Sequence, residues 1–299
     1  MRPLRVKEMI ITGDRRVDAV IAVSKPDVLF YNCIKRLLKQ SLIPDRIIIA
    51  CDNDGEWKED IESLSERIEV HFYPGGKISR GRLKTFGAGF SEADIVVFPD
   101  PEVKAYNKYL IEKLVLPLSA GKGVTCSLAR ELAGSGCIEP ERYEMIYYYP
   151  ARSYVVTKET IKEAAGKISP LGYGCAGFIK SSFDEAGGFE DVDLAPEVLM
   201  ACVLMEKGDR VAYCKDAVVI RSNNYSLIKQ FKRYYDIGYF QKKKLSGHGY
   251  SPDIKNELRL NVKSAMYLLD YKEYLWLGYD RLYKGAKYLG WLLGSIKGF

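Results

Sequence analysis

Between Val17 and Phe98 four short apolar runs alternate with stretches of helical spacing, and this alternation limits the fold more than any other feature. The runs are residues 17–23, 46–51, 68–73 and 95–98. Short Ile- and Val-rich runs of this kind read as buried strands, continuously apolar when both faces are covered. After the first, Lys25-Pro26-Asp27 punctuates the chain. A helix is then expected to about Gln40, with Leu29, Cys33, Leu37 and Leu38 on one face. A short helix over 56–66 and a basic one ending near Ser91 fill the next two gaps. The order β-α-β-α-β-α-β implies a parallel sheet with right-handed crossovers.

The fourth run ends abruptly in Asp100-Pro101-Glu102. Pro101 cannot donate to a sheet ladder, so the strand must stop there. Two carboxylates one residue apart then lie just beyond the carboxyl end of a buried strand, where open α/β sheets bind ligands. Asp-x-Glu offers hard oxygen ligands to a divalent cation that can bridge to phosphates. The plainer alternative is an acidic strand-to-helix turn, with Glu102 in the first turn of a helix starting near Lys104. Loops after strands one, two and four open on one edge, which would gather Ser24, Asp52 and Asp100. Arg80, Arg82 and Lys84 open the third connecting helix. Cations there oppose the helix dipole unless an anion such as a pyrophosphate sits nearby; the alternative is a solvated basic face.

Composition excludes several chemistries. Two histidines, His71 and His248, make a His-based zinc site or catalytic triad improbable. Seven cysteines are scattered without a C-x-x-C pair, which points to buried reduced thiols in a reducing compartment. A net charge of +6 fits an anionic ligand or membrane surface, and no nucleic-acid recognition signature is present. Residues 1–16 lack the apolar core of a signal peptide, and no apolar run reaches transmembrane length. A cytoplasmic location is therefore expected.

Beyond Val103 the pattern changes. A helix over 104–118, strands over 123–128 and 153–156, and a flexible segment from Gly172 to Gly177 are expected. The run Tyr147-Tyr148-Tyr149 has no clear period. A strand at 177–179 should pass into a helix at Ser181-Ser182, with Glu185 completing a capping box and Gly187-Gly188 ending it. Pro196 should open another helix with Glu197 in its first turn and Gly208 at its end. Two short strands, 210–214 and 217–220, follow. The expected division is a catalytic domain over 1–225 and a basic, aromatic-rich helical extension over 226–299.

Taken together these residues resemble family 2 glycosyltransferases, the inverting class with the GT-A fold, and within it the rhamnosyltransferase-like branch. The likeness runs from Val17 to the C-terminus. Lys84-Thr85-x-Gly87 stands where the family has Arg-Asn-x-Gly, Asp100-Pro101-Glu102 where it has Asp-x-Asp, and Pro196-Glu197 where it has Glu-Asp. SSFDEAGGFE matches the family's Gly-Gly-Phe-Asp segment. Arg221-Ser222-Asn223-Asn224-Tyr225-Ser226 is close to the branch's His-Ser-His-Asn-Tyr-Ser, and the following FKRYYDIGYF to its basic-aromatic helix. Gln230-x-x-Arg233-Tyr234 is similar to the Gln-x-x-Arg-Trp of processive synthases.

The resemblance implies a GT-A nucleotide-binding fold: a mostly parallel central sheet flanked by helices, plus C-terminal amphipathic helices. It implies sugar transfer from a nucleotide diphosphate sugar to an acceptor hydroxyl, in cell-surface polysaccharide or glycolipid synthesis. Donor contacts would come from Val23, Asp52, Lys84, Asp100 and Arg221. Asp100 and Glu102 would hold Mn²⁺ or Mg²⁺, and Glu197 would be the general base. The family's histidine is Arg221 or Asn223 here, so a guanidinium at Arg221 would instead neutralise the diphosphate. A sugar-phosphate nucleotidyltransferase, or a catalytically degenerate fold acting as a binding or scaffold subunit, are the rival readings. The basic-aromatic tail is read as a surface held on the inner face of the cell membrane, as a homo-oligomer interface, or as packing on the catalytic domain.

Overall fold

In the computed structural model, which describes residues 14–160, 173–221, 224–248 and 254–298, the four apolar runs are strands. They are β1 (Val17–Val23), β2 (Arg46–Cys51), β3 (Ile68–Phe72) and β4 (Ile95–Pro99). β1 pairs in parallel with β2 and β4, and β2 with β3. The leading stretch, Gly172, Ser222 and Asn223, all part of the sequence reading, lie outside the described residues.

Helix α1 (Val28–Leu37) starts where Asp27 caps it, its carboxylate accepting the Phe30 N–H at 2.9 Å. Its buried face is Phe30, Cys33, Ile34 and Leu37, while Leu29 is exposed. The expected face is thus rotated, and the helix stops short of Gln40. Gln40 instead donates to the Arg36 and Asn107 carbonyls. α2 (Trp57–Glu62) and α3 (Arg80–Ala88) complete the other two crossovers. Gly87 allows α3 to lie on the sheet: a Cβ there would stand 2.7 Å from Val20 and 3.0 Å from Ala50.

The sheet order is β3-β2-β1-β4-β8-β6-β9-β5, with β7 on β9. Here β5 is Lys104–Ala105, β6 Val124–Ala133, β7 Tyr154–Val156, β8 Cys175–Ile179 and β9 Arg210–Arg221. β8 runs antiparallel to β4 and β6, so the parallel half is extended by a mixed one. Several local expectations change. Residues 104–105 pair with β9, and helix α4 begins only at Leu110 (Leu110–Ser119). The tyrosine run closes a helix, α5 (Glu139–Tyr148). α6 (Lys180–Glu185) starts ahead of Ser182, so no capping box forms, although Gly187 and Gly188 do end it at φ +88 and +72. The two strands expected over 210–220 are one, with Lys215 and Asp216 exposed midway. α7 (Pro196–Glu206) opens at Pro196 as expected.

The chain divides into two compact units. The first takes in the chain to Arg130, Ala151–Lys158 and Tyr173–Ile220, and holds the sheet core. Beside β4 and β8, Phe98, Phe178, Phe183 and Phe189 form a cluster of mostly edge-on rings.

The second unit joins Glu131–Pro150 to the chain from Arg221 onward. It contains α8 (Leu227–Phe240), α9 (Ile254–Asp270) and α10 (Tyr274–Lys297). α10 lies close on α8 because Gly290 and Gly294 face the Phe231 and Tyr235 carbonyls with no room for a Cβ. Glu141 and Glu144 of α5 meet Lys287 of α10, and Glu141 also accepts from Tyr283 at 2.6 Å and Gln230 at 3.2 Å. This buried network is why the α5 segment belongs with the tail. Among the described residues no helix is long and apolar enough to cross a membrane.

Candidate active site

The strand order reverses between β1 and β4, and the crevice beyond their carboxyl ends is where sheets of this kind take ligands. Val23 ends β1 opposite Cys51, and Asp52 follows β2 directly. Asp52 is largely buried, with the Ile78 N–H 3.5 Å from its carboxylate. Asp100 follows β4. Its N–H donates to the Gly174 carbonyl at 2.8 Å, and its own carbonyl accepts the Val103 N–H at 3.1 Å. Beneath this turn the Cys33 thiol lies 3.8 Å from the Asp100 carbonyl. Burial, helped by the Asp100 charge, pushes that thiol up to about 12. All seven cysteines are buried and free of disulfides.

The basic segment folds over the crevice from α3. Ser79 caps it, accepting the Arg82 N–H at 3.3 Å. The Arg80 N–H donates to Asp193 at 2.9 Å, and the Gly81 N–H to the Val192 carbonyl at 2.9 Å. Gly81 permits this approach, since a Cβ there would collide with the Glu190 carbonyl. The Arg80 guanidinium reaches Asp100, with Nη1 3.4 Å from both carboxylate oxygens. Arg82 is exposed, as a solvated basic face would have it.

One turn on, Lys84 is buried with its Nζ 3.8 Å from Oε2 of Glu197. Glu197 sits in the first turn of α7, after Ala195 at φ +45 and Pro196. A left-handed alanine is strained by about 1 kcal/mol. Such strain persists only where the surroundings hold it. Oε1 of Glu197 accepts the Tyr173 N–H at 3.0 Å, whereas Oε2 is buried without a hydrogen bond.

Glu102 is exposed. Among the described residues no three His, Cys, Asp or Glu side chains converge on one point. The Asp100 carboxylate takes the Arg80 guanidinium, and Glu102 offers oxygens two residues on. In the second unit, Arg221 closes β9 with Nε 3.7 Å from Glu131. Its neighbour Asn224 is structural: it accepts the Ile138 N–H at 3.1 Å and donates to the Gly136 carbonyl at 2.5 Å.

No family model matches the chain. It is 24% identical over 289 residues to the O-antigen chain rhamnosyltransferase RfbN of Salmonella typhimurium, covering 94% of this chain and 90% of that one. It is 26% identical over 266 residues to the O-antigen chain rhamnosyltransferase WbaN of Salmonella anatum, covering 86% and 82%. Among solved structures it resembles the mannosyltransferase PcManGT of Pyrobaculum calidifontis in complex with GDP-Man and Mn²⁺. The TM-score is 0.63 at 10% identity, over 95% of this chain and 87% of that one.

The chain is a rhamnosyltransferase-like glycosyltransferase of the GT-A fold.

In this glycosyltransferase the first unit holds Val23, Asp52, Lys84, Asp100, Glu102 and Glu197, and the second holds Arg221. The scaffold reading is not favoured, because the matched relatives are transferases over nearly their whole length. The sequence reading missed the Tyr173 N–H and the Asp193 cap on Arg80. Both join residues far apart in the chain, and no local spacing announces either.

Proposed function

We propose that this glycosyltransferase moves a rhamnosyl group from a nucleoside diphosphate rhamnose to a saccharide hydroxyl, with inversion, in the synthesis of a cell-surface polysaccharide. The names of its curated relatives support the sugar and the product class. The observation that carries the chemistry is the Glu197 carboxylate: one oxygen is anchored by the Tyr173 N–H, and the other carries no hydrogen bond.

The acceptor oxygen attacks the anomeric carbon and its proton passes to Oε2 of Glu197. The bond from that carbon to the phosphate oxygen breaks, and its electron pair leaves on the nucleoside diphosphate. Val23 and Asp52 border the nucleotide, with Asp52 accepting from the base. Arg80 is the guanidinium on Asp100 in this unit and would meet the diphosphate. Asp100 and Glu102 would hold Mn²⁺ or Mg²⁺, which when bound supplies positive charge against the leaving diphosphate. Arg221, carried by the family likeness as a donor contact, is paired with Glu131 in the second unit.

We also infer a peripheral membrane attachment through the second unit. The tail's aromatics partly turn inward: Tyr283 is fully buried, and Tyr267 donates to Glu139 at 3.1 Å. The exposed apolar face is largely aliphatic, with Tyr271, Tyr274 and Tyr288 exposed beside it. Leu258, Val262 and Met266 recur every four residues on α9, and Leu275, Leu282 and Leu289 every seven on α10. With lysines on the same helices, this suits an anionic interface.

The deciding experiment offers the full chain UDP-, GDP- and dTDP-linked rhamnose with oligosaccharide acceptors and follows nucleoside diphosphate release. Glu197→Gln should cut turnover about 10²–10⁴-fold and leave donor affinity intact. If Asp191→Asn or Asp193→Asn has that effect instead, the base lies in the preceding loop. Release of pyrophosphate would mean nucleotidyl transfer, and no donor-dependent release would mean a binding subunit.

A further inference from the structure

We propose that Lys84 is the positioning residue of the base rather than a donor contact: its ammonium holds the Glu197 carboxylate in place. The inference rests on the reading of Glu197 as the base. Family likeness places this lysine near the nucleotide, but its geometry points elsewhere. Lys84 is 3% exposed, and its Nζ stands 3.8 Å from Oε2 of Glu197. Its Nζ also lies 5.9 Å from the centroid of the buried Phe189 ring.

The backbone around the pair is fixed on both sides. On the lysine side, Thr85 donates to the Gly81 carbonyl at 3.1 Å and accepts the Phe189 N–H at 2.8 Å. On the glutamate side, the Tyr173 N–H holds Oε1. Neither a neutral partner nor water is needed for Lys84 to hold Oε2 by charge alone. Among the described residues, Glu197 acts on the Cys126 thiol of β6 and the Cys175 thiol of β8. Burial raises both well above the ordinary thiol range, so they stay neutral at working pH. Asp100, which also acts on Cys175, is matched by Arg80. Lys84 is therefore a cation facing the carboxylate, 3.8 Å from its Oε2.

A lysine in this place has a consequence for rate. It fixes where Oε2 stands by charge, so that oxygen need not be held by a hydrogen bond that the acceptor would have to break. Removing the ammonium should therefore appear in kcat rather than in donor binding.

The test compares wild type, Lys84→Gln, Lys84→Arg and Glu197→Gln. It measures kcat, and donor affinity by calorimetry with the rhamnose donor that supports transfer. Lys84→Gln should lower kcat about tenfold or more and bind donor within about twofold of wild type. Lys84→Arg keeps the charge, so it should retain more of kcat than Lys84→Gln. A donor affinity weakened tenfold or more, with kcat kept, would overturn the assignment and return Lys84 to the donor site. If Lys84→Gln does not fold, Lys84→Arg decides alone. Retained donor affinity with lowered kcat supports the proposal, and lost affinity with kcat kept overturns it. An active Glu197→Gln enzyme would show that the base reading itself had failed, whichever result the Lys84 variants give.

Discussion

The hydroxyl of Thr85 and the backbone N–H of Phe189 are 104 residues apart in the chain and 2.8 Å apart in space. This bond joins the Lys-Thr-x-Gly segment to the Gly-Gly-Phe segment, two pieces of the family likeness that look independent in the sequence. The same hydroxyl donates to the Gly81 carbonyl. Thr85→Val keeps the shape and strands the Phe189 amide. It should lower unfolding free energy by about 1–3 kcal/mol in a denaturant titration, and Thr85→Ser should restore most of it. An unchanged midpoint for Thr85→Val would mean that the two segments are held by other contacts.

Asp100 and Glu102 predict the metal response. Asp100→Asn should abolish transfer and Glu102→Gln should impair it strongly, with Mn²⁺ or Mg²⁺ restoring activity after chelation. Arg80→Gln removes the guanidinium from Asp100 and should weaken donor binding. Full activity in excess chelator would exclude the carboxylate-held cation and leave Arg80 as the neutralising group.

Glu144 predicts how stability depends on pH. Burial raises it from 4.5 to about 7, with Lys287 opposing and Glu141 adding to the shift. A carboxylate raised in the folded state binds its proton more tightly there than when unfolded. Its contribution is complete below pH 4.5 and is lost as pH rises through about 7. Glu141 is lowered instead: burial, its largest influence, is outweighed by Lys287, Arg233 and Tyr283. Its stabilisation is lost only as pH falls below the usual glutamate range. Glu144→Gln should therefore flatten the melting temperature between about pH 5 and 7 and leave the acid limb unchanged. A wild-type midpoint that rises across that window would refute the sign.

The aliphatic face of α10 predicts vesicle binding. Leu282 and Leu289 are each more than half exposed, and burying a leucine is worth about 1.5–3 kcal/mol. Leu282→Glu with Leu289→Glu should reduce co-sedimentation with anionic liposomes by tenfold or more while melting temperature and donor affinity hold. Wild-type protein that ignores anionic liposomes at low salt would end the membrane reading. Point changes are the better probe here, because removing α10 would strip the partner from α8, which Gly290 and Gly294 bring so close.

What local chemistry dictates was legible from the residues alone. Four β-branched runs make a parallel sheet, because such runs are stable only when covered on both faces. Pro101 stops β4 and leaves Asp100 at its end, Gly187-Gly188 stop α6, and Pro196 opens the helix that carries Glu197. Each of these depends on a residue and its immediate neighbours. Contacts set by distant chain segments were not legible. Leu29 has the right spacing for the buried face of α1, yet Phe30 and Ile34 take that face. Tyr147-Tyr148-Tyr149 shows no clear helical period because the buried face of α5 also carries Glu141 and Glu144, charges met by Lys287 far along the chain.

The active-site pairings belong to the second kind. That Lys84 and Glu197 are present follows from the chain, but that they face each other follows from α3 and α7 closing on the same crevice. Arg80 meets Asp100 for the same reason, with Asp193 holding its backbone. Strand and helix signals arise from steric and solvation preferences within a few residues, so a linear reading recovers them. A carboxylate's partner is chosen by which segments the folded sheet brings within a few ångströms, and that is a property of packing.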